Sequence, residues 1–435
     1  MFIKRLQLAL IHVAVAITLV PINSTLNRVM IKEMALSATL VAALASLPYL
    51  FSPTQMIIGD FSDRHPWLGW RRSPYILLGL LLCAAGVSLA PQVVFLMPEN
   101  YLLGLALSVL TFAAWGMGFN VASVSYLSLA SELSGEKGRS KTVSIMWILM
   151  IIGIIITAAT LSRSLENYSP QALQNAFQAV GLVALGMGLL GLVGLEKRHK
   201  ELASAPIPER ASWLVLIRVV MSAPQSRRFF LYLTLLLAAI LGQDVLLEPF
   251  AGEAFDLPVS ATTRITSIWG GCMLVSMLVA GLLEGRFSKR TVAQFSAWVA
   301  ISGFVLIAAS GFLADRNIFY LGVILLGVGT GLSTVSNLSL MFDMTTSKVG
   351  LFIGAWGMAS AAARLIGTMM SGIVRDLVSQ AAQNAIAGYS TVFIIEVGIL
   401  LFSLALLRQV DVAQFRQQTQ KVSLSERAAF LNDGG

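Results

Sequence analysis

The sequence predicts an all-α integral membrane protein of twelve transmembrane helices, arranged as two six-helix halves. Three observations carry that expectation. Of the 435 residues, 56% are hydrophobic and 12% are charged, and the mean hydropathy is +0.78. A soluble domain needs far more charge to cover its surface. The apolar residues fall in blocks long enough to span a bilayer, roughly 20 residues each. Within lipid the backbone must satisfy its own hydrogen bonds, so such blocks are helices. Finally, a stretch of the first half recurs in the second.

The spans are expected at 8–30, 36–59, 74–96, 101–131, 141–162, 172–194, 229–250, 262–283, 291–313, 318–342, 350–376 and 386–408. The first block is too long for the apolar core of a signal peptide and lacks a small-residue cleavage site, so it reads as a resident helix. With the N-terminus in the cytoplasm, the cytoplasmic segments carry 23 Lys and Arg. The other face has six, Arg28, Lys32, Arg163, Arg264, Arg316 and Arg375. That bias puts both termini in the cytoplasm. It also accounts for the net charge of +8 without a nucleic-acid partner. The longest loop, 195–228, is basic and contains Pro206, Pro208 and Pro224. It reads as a cytoplasmic linker between an N-terminal bundle, 1–194, and a C-terminal bundle, 229–408. Within it, 213–220 has the pattern of a short interfacial helix. The polar cytoplasmic tail, 409–435, is expected to be loosely ordered, with a weak helix-capping signal at 423–426. Cys83 and Cys272, the two cysteines, lie in apolar blocks and read as small core residues.

The internal repeat is ungapped. At a constant offset of 211, Gly116, Gly118, Val124, Ser125, Leu127, Ser128 and Leu129 match Gly327, Gly329, Val335, Ser336, Leu338, Ser339 and Leu340. Glu132 then aligns with Asp343, so both copies end in an acid at the same membrane face.

After the second span comes Gly59-Asp60-Phe61-Ser62-Asp63-Arg64, followed by Arg71 and Arg72. This resembles the signature loop of the major facilitator superfamily, whose plan is two six-helix halves in parallel order. The glycine permits close helix approach, and the charges can tie helix ends together. The eighth span ends in 281–286, a degraded copy with its acid, Glu284, displaced by one position. More specific stretches are Leu26–Ile31, Gln243–Phe250, Thr262–Arg264, Gly354–Gly357 and Arg375-Asp376. Together they resemble the PucC/LhaA-like bacteriochlorophyll-delivery group of that superfamily, from the first span to the twelfth. The resemblance implies (bacterio)chlorophyll, membrane lipids and light-harvesting or photosystem subunits as partners. It also implies a photosynthetic (thylakoid or intracytoplasmic) or plasma membrane as the location.

The resemblance makes polar side chains within the membrane candidate pigment contacts. The magnesium of chlorophyll takes one axial ligand, commonly an imidazole nitrogen. His12 is intramembrane, whereas His65 and His199 lie in loops, so His12 is the candidate axial ligand. Asn120 and Gln243 are alternative polar contacts, and Trp356 falls in the family motif. Intramembrane charges are costly and therefore functional candidates. They are Arg28, Asp244, Glu248, Arg364 and Glu396. Three contacts are expected. Arg64 or Arg72 should meet Glu132, beside Asp63 and with Asp343 as the counterpart in the second half. Arg28 should approach Glu248, directly or through Asn27 and Asp244. Arg364 and Glu396 should pair near the midplane.

No Walker loop, intrinsic metal cluster or nucleophile constellation is present in the sequence, so neither an ATP-driven pump nor an enzyme is expected, and no cofactor is required beyond bound pigment. Three readings remain. The first is a pigment carrier or assembly factor. The second is a proton-coupled transporter of another hydrophobic or amphiphilic molecule. The third is an assembly scaffold that has lost transport.

Overall fold

The computed structural model describes residues 2–67, 69–196, 224–282, 286–343 and 349–410. Glu284, His199, the expected interfacial helix at 213–220 and the capping signal at 423–426 lie outside the described residues, as do the side chains of Asp63 and Asp343. Among the described residues the regular structure is helical, apart from one isolated bridge between Trp67 and Trp70. Among the described residues, eleven helices are long and apolar enough to cross a membrane. The second passage is the exception. It was expected as one helix over 36–59 and is built from two, α2 (Ala38–Leu50) and α3 (Thr54–Arg64).

Prolines explain where the chain breaks. Helix α1 (Phe2–Ile17) stops because Pro21 has no N–H for the Ile17 carbonyl and its ring would strike that carbonyl. The first passage then continues through wider π-helical turns, Pro21–Leu26 and Val29–Glu33. In the second passage, Ser52 and Thr54 donate back to the carbonyls of Tyr49 and Phe51, the bonds of a tight turn ahead of α3. The seventh passage is also interrupted. Helix α7 (Pro224–Gly242) gives way to a 3-10 turn at Gln243–Val245 before α8 (Leu247–Phe255). Thus the first helix of each half is broken at corresponding places, the pattern that marks binding sites in two-repeat membrane proteins.

The third passage is α4 (Ser73–Val94). The fourth and fifth form one hydrogen-bonded run, α5 (Tyr101–Ser164), bent where Gly135 has φ 61° and ψ 176°. That region is essentially glycine-only, so this glycine divides the two spans. The sixth is α6 (Pro170–Leu192). After α8 come α9 (Val259–Leu282), α10 (Lys289–Leu313), α11 (Arg316–Asp343), α12 (Val349–Ala382) and α13 (Ala385–Leu407).

The sequence repeat has a packing cause. A Cβ on Gly118 would lie 2.6 Å from the Cβ of Leu82 in α4, and one on Gly329 would lie 2.8 Å from the Ala300 nitrogen in α10. Likewise a Cβ on Gly116 would lie 2.9 Å from the Pro48 nitrogen in α2, and one on Gly327 would lie 2.7 Å from the Trp269 carbonyl in α9. Each pair of repeated glycines therefore permits the same two close helix approaches in its own half, where any side chain would push the helices apart.

Candidate functional site: a midplane cleft and its seals

A small cleft, with room for about one water-sized group, lies between the halves. Asn23, Ala45 and Tyr49 line it from one half, and Asp244, Arg364 and Thr368 from the other. The interrupted first and seventh passages thus both reach it. Arg364 Nη1 is 3.1 Å from Asp244 Oδ2 and donates to the Tyr49 hydroxyl at 3.5 Å. The guanidinium also stands over the Tyr49 ring, 5.5 Å from its centroid. Gln243 Nε2 donates to the other Asp244 oxygen at 3.0 Å. One ion pair within the second half, steadied by one amide, therefore reaches across the seam to one phenol of the first.

This corrects the expected pairing of Arg364 with Glu396. Glu396 is fully buried and accepts from the Ser371 hydroxyl at 3.4 Å. The error lies in where depth was counted from. Helix α12 has 34 residues and α13 has 23, so their basic-face ends are not level. The tight connection between Ala382 and Ala385 is their common origin. From there, at about 1.5 Å per residue, Ser371 and Glu396 are each about 16 Å deep, whereas Arg364 is about 27 Å deep. Glu396 thus meets Ser371, and Arg364 reaches past it to Asp244.

Towards the far face the halves are sealed by polar contacts. Asp376 of α12 accepts from the Ala38 and Thr39 amides at 3.0 and 2.7 Å and from the Thr39 hydroxyl at 2.7 Å. It therefore caps the N-terminus of α2 from the opposite half, where unpaired N–H groups and the helix dipole favour an anion. Arg375 Nη1 holds Asp376 at 3.0 Å, while Nη2 reaches Glu253 at 3.4 Å. Lys32 donates to Asp256 at 2.7 Å and to the Gly252 carbonyl. That hydrogen bond holds the Asp256 carboxyl below its ordinary range. Thr25 and Thr263 are joined at 3.0 Å, and the Ser162 hydroxyl donates to the Ser260 carbonyl at 2.7 Å.

The expected Arg28–Glu248 pair is not formed. Arg28, 2% exposed, binds Glu33 of its own passage and the Leu257 carbonyl at 3.0 Å. Glu248 accepts from the Thr266 hydroxyl at 2.7 Å, and its second oxygen is buried without a partner. Asn27 does not bridge them: its amide nitrogen donates to the Asn23 carbonyl at 2.8 Å. The π-helical turn after Arg28 brings Glu33 within its reach, which a regular helix over 8–30 did not anticipate.

At the basic face, Arg72 meets Glu132 at 2.9 Å, the contact expected from the signature loop, and donates to the Ser62 hydroxyl at 2.7 Å. Arg64 pairs with Asp60 at 3.0 Å instead. Glu196, at the end of the sixth passage, accepts from the amides of Arg71 and Ser73 at 2.8 and 2.7 Å and so caps α4. These contacts all lie within the first half.

The pigment candidates are separated. His12 is buried among helices of the first half, its Nε2 2.9 Å from the Met150 sulfur and its ring edge-on to Tyr126 at 5.2 Å. Asn120 is saturated: it donates to the Pro48 and Gly116 carbonyls at 2.8 Å each and accepts from Gln55 at 2.6 Å. The turn after α2 frees the Pro48 carbonyl, and Asn120 supplies its missing donor. Gln243 sits beside Asp244 with its own oxygen buried and unpartnered. Trp356 is half-buried against the core. Tyr49, Asn23, Thr368, Asp376 and Glu196 were not singled out by sequence reasoning. Only Asp376 carried a signal, its place in the Arg-Asp motif.

Two parallel six-helix halves, a midplane cleft and first helices broken in both halves define a membrane protein of the major-facilitator type. In keeping with this, the nucleoside transporter NupG superimposes with a TM-score of 0.71 at 17% identity, covering 94% of this chain and 98% of that one. Residues 25–415 match the family described as PUCC protein, and the chain belongs to that family. Protein PucC of Rhodovulum sulfidophilum is 30% identical over 393 residues, 86% of this chain and 85% of that protein. The bacteriochlorophyll synthase 44.5 kDa chain of Rhodobacter capsulatus is 30% identical over 388 residues, 86% of this chain and 88% of that protein.

Proposed function

We propose that the protein takes part in the biogenesis of photosynthetic pigment complexes, holding (bacterio)chlorophyll within the membrane and delivering it to light-harvesting or photosystem subunits. The observation that carries this reading is family membership across residues 25–415, together with a relative named for bacteriochlorophyll. The pigment is cargo, and the midplane cleft is its candidate point of attachment. The free space of the cleft, about that of one water molecule, is far smaller than the pockets of roughly 300–1,000 Å³ that enclose drug-sized ligands. It suits the polar edge of a pigment, with the remaining macrocycle and tail against apolar helix surface or in a wider conformation. His12 faces the interior of the first half, which favours a structural role for it over magnesium ligation. No step of the proposed delivery is enzymatic. Both termini are cytoplasmic in this reading, as the distribution of Lys and Arg supports.

The test is transfer. Purified, pigment-loaded protein is mixed with pigment-free antenna polypeptides in nanodiscs, and the red shift of antenna-bound pigment is followed. Transfer faster than from pigment-loaded empty nanodiscs is expected, and equal rates would overturn delivery. A second reading, proton-coupled transport of another amphiphile, is favoured by the polar seal between the halves on the far side, an arrangement suited to alternating access. It predicts uptake into vesicles driven by a pH gradient in the absence of pigment.

A further inference from the structure

The midplane cleft combines a surplus of hydrogen-bond donors with no net charge. Arg364 and Asp244 cancel one another at 3.1 Å. Nη1 of the guanidinium is engaged by that carboxylate and by Tyr49, whereas Nε and Nη2 have no hydrogen-bond partner among the described residues, on a side chain that lines the cleft and is 31% exposed, so they are available as donors. The Tyr49 hydroxyl accepts from Arg364, which leaves its own proton to donate. The Thr368 side chain lines the same space. The acceptors here are Asp244, already paired, and the Asn23 oxygen, which is buried without a partner.

We infer that Arg364, Tyr49 and Thr368 bind an uncharged ester carbonyl, and that Asp244 excludes the carboxylate that the corresponding free acid would place there. The inference rests on the reading of this cleft as the cargo site and narrows its chemistry. A carbonyl oxygen accepts from the open donors without adding charge. A carboxylate entering at mid-membrane would place a second anion beside Asp244 in a low-dielectric surrounding, where like charges repel strongly. Without Asp244 the same guanidinium would be a carboxylate clamp, since Arg presents a fork that matches that geometry. Asp244 thus acts as a selectivity residue: it sets the charge of cargo the cleft accepts. For a pigment, the consequence is that the esterified molecule is carried and its free-acid precursor is refused.

The test uses two probes that differ only at this group, methyl pheophorbide a and pheophorbide a, with the full chain in nanodiscs and empty nanodiscs as the partition control. Binding of the ester at least 10-fold tighter than the acid is expected in the wild type. Asp244→Asn should reverse the order, with the acid gaining at least 10-fold. Tyr49→Phe, which keeps the ring and removes only the hydroxyl, should weaken the ester several-fold. Equal binding of ester and acid in the wild type, or an unchanged order in Asp244→Asn, would overturn the inference. A second pair, 11-(dansylamino)undecanoic acid and its methyl ester, separates the two levels of the argument. If neither macrocycle binds but the dansyl ester is preferred over its acid, the pigment reading fails and the selectivity stands. If the dansyl acid is preferred, the selectivity fails whatever the cargo.

Discussion

Asp376 ties the two halves together through three hydrogen bonds from one side chain, and removing it should open the far face. It accepts from two α2 amides and one hydroxyl of the opposite half. Hydrogen bonds to a charged group contribute about 1.5–3 kcal/mol each, and an acidic cap at a helix N-terminus about 0.5–2 kcal/mol. These figures overlap, because the same amides are counted in both. Water entering an opened mouth would replace part of the lost bonding. A net loss of about 2–3 kcal/mol is therefore expected for Asp376→Ala, a shift of roughly 30- to 150-fold between sealed and unsealed populations. Asp376→Asn keeps one acceptor oxygen and should lose about half as much. The assay is a distance distribution between spin labels at Asn167 and Asn317, both exposed on the far face in opposite halves, after Cys83 and Cys272 are replaced by alanine. A second, longer distance should appear in Asp376→Ala and be weaker in Asp376→Asn. Identical distributions in all three proteins would refute Asp376 as a latch.

Three further outcomes follow from the geometry. Arg72→Ala strips a buried side chain of its bonds to Glu132 and Ser62 and should cost about 1–3 kcal/mol, while Glu132→Gln, on the exposed side of that pair, should cost less than about 1 kcal/mol; thermal unfolding followed by size-exclusion chromatography separates the two. Lys32 lowers the Asp256 carboxyl pKa, so the stabilisation from that pair is complete above the ordinary carboxylate range near pH 4 and is lost as pH falls below it. Asp256→Asn should therefore widen the same spin-label distance at pH 6, and its difference from wild type should shrink as pH falls below about 4. Exchanging charges at the midplane, Arg364→Asp with Asp244→Arg, should recover more folded protein than either single change, whereas Arg364→Glu with Glu396→Arg should recover none.

Much of this architecture was readable because it is written in local chemistry. Apolar blocks gave the spans, and Gly116 and Gly118 echoed Gly327 and Gly329 because each pair sits where helices nearly touch. Arg72 found Glu132 because both close helices at one face of one half. What could not be read depended on register across the seam. Asp376 caps α2 from 338 residues away, and no local pattern announces a cap donated by another helix. Pro249 has no N–H for the Val245 carbonyl, the rule that stops α1 four residues before Pro21, but it lies at the end of the expected span, so the break at Gln243–Val245 was not anticipated. Arg364 was given to Glu396 because α12 was assumed to end level with α13, and the surplus length of α12 moved it some two turns away. Tyr49 went unnoticed because a lone tyrosine among apolar residues carries no sign of the guanidinium above it.

The central claim is that the protein holds pigment, and the direct measurement is the absorption spectrum of the full chain purified in mild detergent from a pigment-producing host. The account predicts red-absorbing pigment near one molecule per chain, retained in His12→Phe and reduced in Arg364→Gln. Protein that is folded, monodisperse and colourless under those conditions would contradict it.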